Sequence, residues 1–446
     1  MTPVVIIPVF ISSIKKKLGD SVLTTYDHTT PISSKGELPR LLDSLKNVKD
    51  ISHVIILVIA ESTVNEAACV KIERLTMQYS QFNTMVIGAD EVEKIHKRAK
   101  TLGLPDVSSE ISLSSYGAIR NVGITVASLY GFDAAIFLDD DCVVNDHDFL
   151  HKAMYAMGKL TKQGVPIVVK TGYYLNRHDS YLSRHKNYWH DRLWQKGKAY
   201  NAWITKAMQG VRLTRSLRIC GGCMVLHKQA YLRLAFDPWV TRGEDLDYLL
   251  NLRMYGSDVW FDNKLVVHHL PPEIPSEGVR FQQDIFRWLY EYRKLEYSRT
   301  QIDLLQVKAS DLKPYPGDFL GKDIERRIKW TARLRSLGRP DKKEYRRACK
   351  IASLQAKEFA SRNCQNYFEF QRVWPVFINT IKSDEKLIEE LELSGHQRRR
   401  IAYHQMQAEN DLDSAKRAYG RMSRAKSIKR ENIDPGKTSE IHLNIN

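Results

Sequence analysis

Three consecutive carboxylates follow an apolar segment in the first half of the chain. Asp139, Asp140 and Asp141 come directly after Ile136-Phe137-Leu138. Like charges repel, so this cluster is costly at the end of an isolated strand. Mg²⁺ and Mn²⁺ prefer carboxylate oxygens, and two carboxylates can hold such an ion against a phosphate. The pattern predicts a divalent metal site; the alternative is an acidic loop that caps a helix starting near Asp146.

A second acidic group lies where a helix is predicted to begin. Glu244 and Asp245 follow Gly243, which permits an abrupt turn. Carboxylates at this position are stabilised by the helix dipole, and that structural role is one interpretation. The other interpretation is catalytic, with Asp245 as general base for an acceptor hydroxyl and Glu244 binding that hydroxyl or its neighbours.

Two adjacent histidines, His268 and His269, end a predicted strand. Neighbouring side chains on a strand point to opposite faces. One imidazole could therefore reach the carboxylates as a further metal ligand, while the other packs or meets solvent. The sequence leaves open which of the two is the ligand.

Polar and aromatic side chains supply candidate substrate contacts. Arg120 and Asn121 lie on the helix before the acidic strand and could hold nucleotide phosphates or a base, although a solvated surface arginine is the alternative. The segment 173–203 is crowded with Tyr and Trp, including Tyr173 and Trp189. Aromatic rings stack on sugars, which predicts an acceptor site, but core packing explains them equally well.

The elements that must position these side chains alternate between strand and helix. Apolar runs predict strands, and apolar spacing of three and four residues predicts helices. The predicted strands are Val4–Phe10 (ended by Pro8), His53–Ala60, Thr84–Ile87, Ala134–Leu138, Val165–Lys170, Gly221–His227 and a strand pair in Val259–His268 with a turn near Asp262-Asn263. The predicted helices are Glu37–Leu45, Val64–Tyr79, Tyr116–Tyr130, Asp148–Leu160 and Asp245–Tyr255. This alternation predicts an α/β fold with a parallel sheet and right-handed crossovers, whose strand ends gather the candidate residues.

The second half of the chain differs from the first in its pattern of apolar residues. Residues 279–394 show helical spacing with few strand signals, residues 397–429 predict a basic helix, and disorder is predicted from Glu431. A polar stretch from Ser12 to Lys35 is longer than most strand–helix loops. The predicted division is a domain over 1–275 in two halves (1–145 with the acidic triplet and 146–275 with the second acidic group), a helical region 276–394, and a basic helix with flexible tail 395–446.

The bulk composition of the 446 residues restricts the partners. Lys and Arg total 68 against 52 Asp and Glu, so the net charge of +16 favours acidic partners. No apolar stretch approaches the roughly 18 residues of a membrane span, and the N-terminus predicts a core strand rather than a signal peptide. Cys220-Gly221-Gly222-Cys223 has redox spacing, but two buried thiols beside a tight turn are favoured. Reduced thiols and a cytoplasmic location are expected.

Taken together, these segments resemble the GT-A glycosyltransferases, especially family two and its relatives, over about residues 4–272. The segments that carry the resemblance are Val5-Ile6-Ile7-Pro8, Leu38–Leu45, Ala118-Ile119-Arg120-Asn121-Val122-Gly123, the D-x-D-type Asp139-Asp140-Asp141, Gly221–Val225, Gly243-Glu244-Asp245 and the late histidine at 268 or 269. The resemblance implies a GT-A (Rossmann-like), mostly parallel sheet flanked by helices and followed by a helical C-terminal region. One departure is the second strand, which ends in Ala60-Glu61-Ser62 where family members often carry paired aspartates that read the base.

The resemblance also implies roles for individual residues. The metal, Mn²⁺ or Mg²⁺, would be held by Asp139 and Asp141 with His268 or His269, and Asp245 would deprotonate the acceptor with Glu244 beside it. The implied nucleotide-sugar contacts are Pro8, Glu61, Arg120, Asn121, Asp139 and Asp140. The implied acceptor contacts are Gly222, Arg242, Tyr173 and Trp189.

The predicted function is metal-dependent transfer of a hexosyl group from a UDP- or GDP-linked sugar to a hydroxyl of a glycan, lipid-linked or small anionic acceptor. Direct displacement with Asp245 as base would invert the anomeric centre. Alternatives are a retaining GT-A transferase of the glycerate-glycoside type and a nucleotidyltransferase, for which Lys15-Lys16-Lys17 offers only a weak basic loop.

A non-enzymatic alternative is a binder of anionic surfaces or nucleic acid through the basic segment from Arg398-Arg399-Arg400 to Lys429, although a solvated basic helix is favoured. Nucleic acid is not expected as a partner. Peripheral contact with the inner face of a membrane and a homodimer through the helical half are both compatible with the sequence.

Overall fold

The computed structural model describes residues 1–13, 26, 29–184, 188–272 and 276–431, without the side chains of residues 353, 413, 415 and 417–431. Most of the predicted polar stretch after Phe10, including Lys15-Lys16-Lys17, and the predicted tail after Glu431 lie outside the described residues.

A mixed sheet of ten strands lies at the centre of the described chain. The strands are β1 (Pro3–Ser12), β2 (Thr30–Pro31), β3 (His53–Ala60), β4 (Asn83–Ile87), β5 (Ala134–Phe137), β6 (Cys142–Val143), β7 (Val169–Leu175), β8 (Leu213–Arg215), β9 (Met224–His227) and β10 (Trp260–His269). Their order is β4-β3-β1-β5-β9-β7-β10-β6, with β2 beside β1 and β8 beside β10. The pairs β1–β3, β1–β5, β3–β4 and β7–β10 are parallel, whereas β9 runs antiparallel between β5 and β7.

Helices flank this sheet and make up the rest of the described chain. They are α1 (Leu38–Leu45), α2 (Asn65–Thr76), α3 (Ala89–Thr101), α4 (Tyr116–Leu129), α5 (Phe149–Met154), α6 (Lys196–Gln209), α7 (Lys228–Tyr231), α8 (Glu244–Met254), α9 (Glu277–Ser298), α10 (Ile324–Gly338), α11 (Lys342–Ser353), α12 (Gln355–Ile381) and α13 (Glu385–Glu431). Ser115 and Ser276 cap α4 and α9 by accepting hydrogen bonds from backbone amides of the first turn. The predicted class, a mostly parallel α/β sheet flanked by helices and followed by a helical region, is confirmed.

Several strand boundaries differ from the predictions; the strand predicted at Gly221–His227, for example, is β9 and begins at Met224. Pro8 lies inside β1 and does not end it. The carbonyl of Ile6 accepts from Leu138, and Pro8, two residues further on, faces the same side beyond the end of β5, so its missing N–H breaks no ladder. The strand predicted at 165–170 is β7, which starts at Val169 and runs on into the aromatic segment.

The predicted strand pair at 259–268 is the single strand β10. The Asp262-Asn263 turn signal marks an irregularity, since the register with β7 shifts between Phe261 and Val266. The Asp262 side chain is buried there and forms ion pairs with Lys170 (3.1 Å) and Arg212 (3.1 Å). A polar pair that resembles a turn is therefore a bulge whose carboxylate is neutralised by cations.

The two faces of the sheet carry separate layers of core. Alternate residues of β1 enter different buried clusters: Val5, Ile7 and Val9 pack on one face, and Val4 and Ile6 on the other. The second cluster continues without interruption into the C-terminal helices, where its large buried side chains include Trp288, Tyr367 and Trp374. The predicted division at residue 275 is thus crossed by a shared core, and the division itself stays a prediction.

The basic helix α13 packs along α2 and α3. Arg398 is buried, pairs with Glu91 and donates to the carbonyl of Val86. Arg399 pairs with Glu73 at 3.2 Å. These two arginines, which the sequence suggested as solvated or as contacts for an anionic surface, bind carboxylates of the same chain. Among the described residues no helix is both long enough and apolar enough to cross a bilayer.

A buried ion cluster joins α9 to the sheet domain. The Lys294 ammonium lies 2.5 Å from Asp237 and 2.9 Å from both carboxylate oxygens of Asp247, and all three side chains are fully buried. The same ammonium lies 3.6 Å from the ring centroid of Tyr367 on α12. One cation therefore connects α8, α9 and α12 and the loop after α7.

Removal of this cation should destabilise the whole protein. Lys294→Met leaves two carboxylates buried without their partner, so the free energy of unfolding should fall by about 3–5 kcal/mol. Urea unfolding measures it. The matched control is Arg293→Met, which changes the exposed neighbouring cation and should stay within about 0.5 kcal/mol of wild type. Equal effects of the two substitutions would contradict this role of Lys294.

Candidate active site

The acidic triplet occupies the tight turn between β5 and β6. The carbonyl of Asp139 accepts from the amide of Cys142 at 3.0 Å, which closes the turn. β6 then pairs antiparallel with the end of β10, with Cys142 opposite His269. The sheet thus brings the triplet and the His268-His269 pair together across 130 residues of sequence.

Two carboxylates of the turn converge. Ligand atoms of Asp139, Asp141 and Cys142 all lie within 4.8 Å of one another. The Cys142 thiol donates to the carbonyl of Gly222 at 3.7 Å, and burial raises its pKa well above the usual value. Thiolates suit soft metals, whereas Mg²⁺ and Mn²⁺ prefer oxygen ligands, so the two carboxylates are the better candidates for such an ion.

The two histidines of β10 face different surroundings. His269 Nε2 lies 3.3 Å from Asp141 Oδ1. His268 instead contacts Asn145 at 3.2 Å and Asp179 at 3.0 Å. The alternation along the strand that the sequence left unresolved therefore turns His269 toward the carboxylates and His268 away from them.

These residues fit a divalent cation of the Mn²⁺ or Mg²⁺ type. Carboxylate oxygens with one imidazole suit Mn²⁺, and three protein ligands leave positions for phosphate oxygens. Burial raises the pKa of Asp139 to about 6 against the lowering effect of Arg120, and a nearby dication would favour the ionised form. Gly222 leaves room beside this carboxylate, since a Cβ there would lie 2.5 Å from Asp139 Oδ2.

Tyr174 is a site residue that sequence reasoning placed only in the aromatic segment. Its hydroxyl donates to Asp139 Oδ2 at 3.2 Å and accepts from the amide of Gly222 at 2.6 Å. Its ring stacks on the imidazole of His269, with centroids 4.5 Å apart. Tyr174 thereby orients two candidate metal ligands. The usable signal was its place near the end of β7, beside β10.

The second acidic group begins α8. Gly243 adopts the left-handed conformation with φ +74°, and Arg287 of α9 packs so closely on it that an added Cβ would lie 2.0 Å from the guanidinium carbon. Asp245 Oδ1 accepts from the amide of Leu246 at 2.7 Å, and Oδ2 accepts from the amide of Gly221 at 3.2 Å. Two amides thus fix the orientation of this carboxylate.

Arg120 links the two acidic groups. Its Nε donates to Glu244 Oε1 at 2.7 Å, its Nη1 donates to the carbonyl of Gly221 at 3.2 Å, and its Nη2 lies 3.8 Å from Asp139 Oδ1. The guanidinium lies over the ring of Phe137 and is 5% exposed as a residue. It is therefore a buried cation committed to protein groups and not the solvated surface arginine of the alternative.

The Cys220–Cys223 turn separates the two acidic groups. The amide of Cys223 donates to the carbonyl of Cys220 at 2.9 Å, and both thiols are free and buried. The favoured interpretation, a glycine-permitted tight turn with two buried thiols, is confirmed. Its glycines bring backbone amides close to Asp245 and Tyr174.

A cavity of about 1720 Å³ opens over both acidic groups. This exceeds the roughly 300–1,000 Å³ of most small-molecule sites, so it can hold two substrates. One wall comes from the sheet edge, and the C-terminal region supplies the other through side chains that include Phe281, Asp284, Arg287, Tyr315 and Arg335. The sequence had assigned no role to that region.

The structure brings most of the predicted site residues to this cavity. Those that line it are Pro8, Arg120, Asp139, Asp140, Asp141, Trp189, Arg242, Glu244, Asp245 and His269. Those that do not line it are Glu61, Asn121, Tyr173, Gly222 and His268. Gly222 still contacts the cavity wall from behind, through Asp139 and Tyr174.

Three of the outlying residues have partners within the protein. The side-chain amide of Asn121 donates to the carbonyls of Glu110 and Phe236 and accepts from the backbone amide of Phe236, so it joins two loops. Glu61 accepts from Ser13 at 2.6 Å. Tyr173 packs against Tyr181 and Phe261 in a small buried cluster, as the core-packing alternative has it.

Comparison with known proteins gives distant likenesses to solved structures. No family model and no curated protein sequence matches the chain. A mannosyltransferase from Pyrobaculum calidifontis, solved with GDP-Man and Mn²⁺, is similar at 10% identity and a TM-score of 0.42, over 86% of this chain and 88% of that one.

Two further solved structures are more weakly similar. GalNAc-T7 with UDP, GalNAc and Mn²⁺ matches 74% of this chain and 56% of its own at 12% identity and a TM-score of 0.39. A mycobacterial protein matches 65% of this chain and 74% of its own at 14% identity and a TM-score of 0.34. Scores below 0.5 at such identities assign no activity to this chain.

The different orientations of the two histidines predict different metal affinities. His269→Gln should weaken Mn²⁺ binding by about tenfold or more, because it removes an imidazole that faces the carboxylates. His268→Gln, the matched control on the same strand, should bind Mn²⁺ within about twofold of wild type. Calorimetric titration with Mn²⁺ measures both. A larger loss in His268→Gln than in His269→Gln would contradict this assignment.

Proposed function

We propose that the protein is a metal-dependent glycosyltransferase that moves a sugar from a nucleotide diphosphate sugar to an acceptor hydroxyl. The observation that carries the proposal is the presence of two acidic groups of different character in one cavity. Asp139, Asp141 and His269 form a set suited to a dication, whereas Asp245 is a separate carboxylate held by amides. Inverting transfer of a sugar by direct displacement uses both positive charge for the departing diphosphate and a base for the acceptor hydroxyl.

The candidate metal ligands would act on the donor. Bound there, Mn²⁺ or Mg²⁺ would supply positive charge for the diphosphate as it departs. Tyr174 holds Asp139 and His269 in place, and Pro8 and Asp140 line the same cavity. As the sequence suggested, we propose that the donor is a hexose linked to UDP or GDP.

Asp245 would act on the acceptor. An ionised carboxylate offers about four lone-pair positions, and the amides of Gly221 and Leu246 occupy two of them. The remaining positions can take the proton of an acceptor hydroxyl as that oxygen attacks the anomeric carbon. A base that serves a single direct displacement gives inversion, which is the stereochemistry we propose.

Glu244 is better described as a positioning residue. Its carboxylate is buried and accepts from Arg120, and Arg120 lies between it and Asp139. The sequence suggested that Glu244 binds the acceptor hydroxyl. We infer instead that it acts through Arg120, by holding the positive charge between the donor and acceptor sides of the cavity.

Loss of a candidate metal ligand tests the proposal directly. Asp141→Ala should abolish the Mn²⁺-dependent part of nucleoside diphosphate binding, because it removes one of two carboxylates that face the ion. Calorimetry with UDP and with GDP, each with and without Mn²⁺, measures this. Asp146→Ala, which changes a carboxylate paired with Lys152 in the next loop, is the control. Unchanged Mn²⁺ dependence in Asp141→Ala would remove the basis of the proposal.

A second substitution separates chemistry from donor binding. Asp245→Asn keeps the shape but removes the base, so sugar transfer should fall by at least about 10²-fold. Affinity for the nucleoside diphosphate with Mn²⁺ should stay within a few-fold of wild type, because Asp245 contacts no candidate metal ligand. Product release assays and calorimetry provide the two readouts. A comparable loss of donor affinity would assign Asp245 to the donor site.

A further inference from the structure

A cluster of cations forms the cavity wall near Asp245. Lys196 on α6, Arg242 before α8 and Arg287 on α9 all line the cavity, together with Arg218. The lysine ammonium lies 2.9 Å from Asp284 Oδ2. Burial disfavours the charged form of Asp284, but the lysine and the two arginines at 242 and 287 outweigh it and hold its pKa well below the usual range. One carboxylate therefore faces three cations.

The same wall contains a second partial compensation. Arg287 Nε pairs with Glu291 Oε1 at 3.0 Å. Burial raises the pKa of Glu291 to about 7, against the lowering effect of Arg287, so this carboxylate is only partly ionised near neutral pH. Asp284 and Glu291 thus take up part of the positive charge of Lys196 and Arg287.

Arg218 is the member of the cluster with the least compensation. Its guanidinium lies 4.6 Å from the ring centroid of Tyr200 and faces the cavity. Its hydrogen bonds to Ser216 are made by its backbone amide and carbonyl. Within the described part of the chain, no carboxylate or carbonyl accepts a hydrogen bond from the guanidinium. The donors of this guanidinium are therefore available to a ligand in the cavity, beside the ring of Tyr200.

The guanidinium of Arg218 is half-buried, lies beside Tyr200 and faces the cavity, so a ligand there can reach its donors. Guanidinium groups bind carboxylate and phosphate groups through two parallel hydrogen bonds, which is a match for the free edge of Arg218.

We propose that Arg218, with Lys196 and Arg242, forms an oxyanion subsite, and that the acceptor is a hydroxyl compound bearing a carboxylate or phosphate group. This inference rests on the proposed function, since it places the subsite on the acceptor side. The position supports that side: the Arg218 charge interacts with Asp245, and its ring neighbours are Tyr200 and Tyr315. The donor diphosphate belongs with Asp139 and Asp141, across the Cys220–Cys223 turn.

Small probes test the subsite without knowledge of the acceptor. Inorganic phosphate and lactate carry the two oxyanion types, and propane-1,2-diol is lactate without its carboxylate. Calorimetric titrations at constant ionic strength should show wild type binding at least one oxyanion about tenfold or more tighter than the diol. Phosphate alone would indicate a phosphorylated acceptor, and lactate alone a carboxylated one; both support the subsite.

Substitution then assigns the binding to Arg218. Arg218→Gln should lose about tenfold or more of the oxyanion affinity, and Arg218→Lys should show an intermediate loss, because it keeps the charge without the paired donors. Arg215→Gln is the matched control, since Arg215 lies on nearby β8, is exposed and lies 3.7 Å from Asp258. It should bind the probes as wild type does. If Arg218→Gln does not fold, the intermediate loss in Arg218→Lys decides.

Three results would overturn the subsite. Wild type could bind no oxyanion more tightly than the diol, Arg218 variants could bind within about twofold of wild type, or Arg218→Gln could weaken Mn²⁺-dependent UDP or GDP binding as much as oxyanion binding. The nucleotide titration is run on the same wild-type protein. Absence of Mn²⁺-dependent UDP or GDP binding would contradict the proposed glycosyltransferase. Intact nucleotide binding without oxyanion binding would contradict the subsite alone.

Discussion

The buried guanidinium of Arg120 is the constraint on which the site depends. It binds Glu244 and the Gly221 carbonyl, and it lies within 3.8 Å of Asp139. A buried ion pair adds little net stability compared with apolar packing, but loss of one partner leaves an uncompensated charge. The main contribution of Arg120 is therefore to geometry rather than to stability. Its contacts fix the end of β5, the start of α8 and the turn between them relative to one another.

The C-terminal helices also hold the site in place and are not a separate accessory domain. Arg287 packs against Gly243 at the start of α8, where a side chain would not fit. Lys294, two turns further along α9, is buried between Asp237 and the same helix α8 at Asp247. Two cations of one helix thus hold the element that carries Asp245, which explains why the core and the cavity both cross residue 275.

Much of the fold was predictable because it depends on local pattern. β3 was predicted at its observed bounds, His53–Ala60, because it is a continuous apolar run of strand length. α4 was predicted to within one residue at its end because its serine cap is visible in the sequence. α3 was not predicted, since its buried face consists mainly of Val92, Ile95 and Ala99 among charged residues. β10 was predicted as two strands because local pattern does not show the distant cations, Lys170 and Arg212, that neutralise Asp262.

The site divides in the same way. The acidic triplet and the Glu244-Asp245 pair were visible because acidic residues gather at predicted element ends. Which of the two histidines faces the triplet depends on the register of β10 with β6, in which Cys142 lies opposite His269. A single sequence does not show this register. Arg218, Tyr174 and Arg287 were missed as site residues for that reason, since each acquires its meaning from a contact with a distant segment.

The distribution of charge in the cavity ties these features together. Carboxylates crowd the edge of the sheet, and cations crowd the wall near α6 and α9. Arg120 lies at the boundary and neutralises part of the acidic side only. A dication can balance Asp139 and Asp141, but it would add to the excess of positive charge near Arg218. A dication between Asp139 and Asp141 and an oxyanion at Arg218 would each balance one side, which is the charge pattern expected for the proposed metal-bound donor and anionic acceptor.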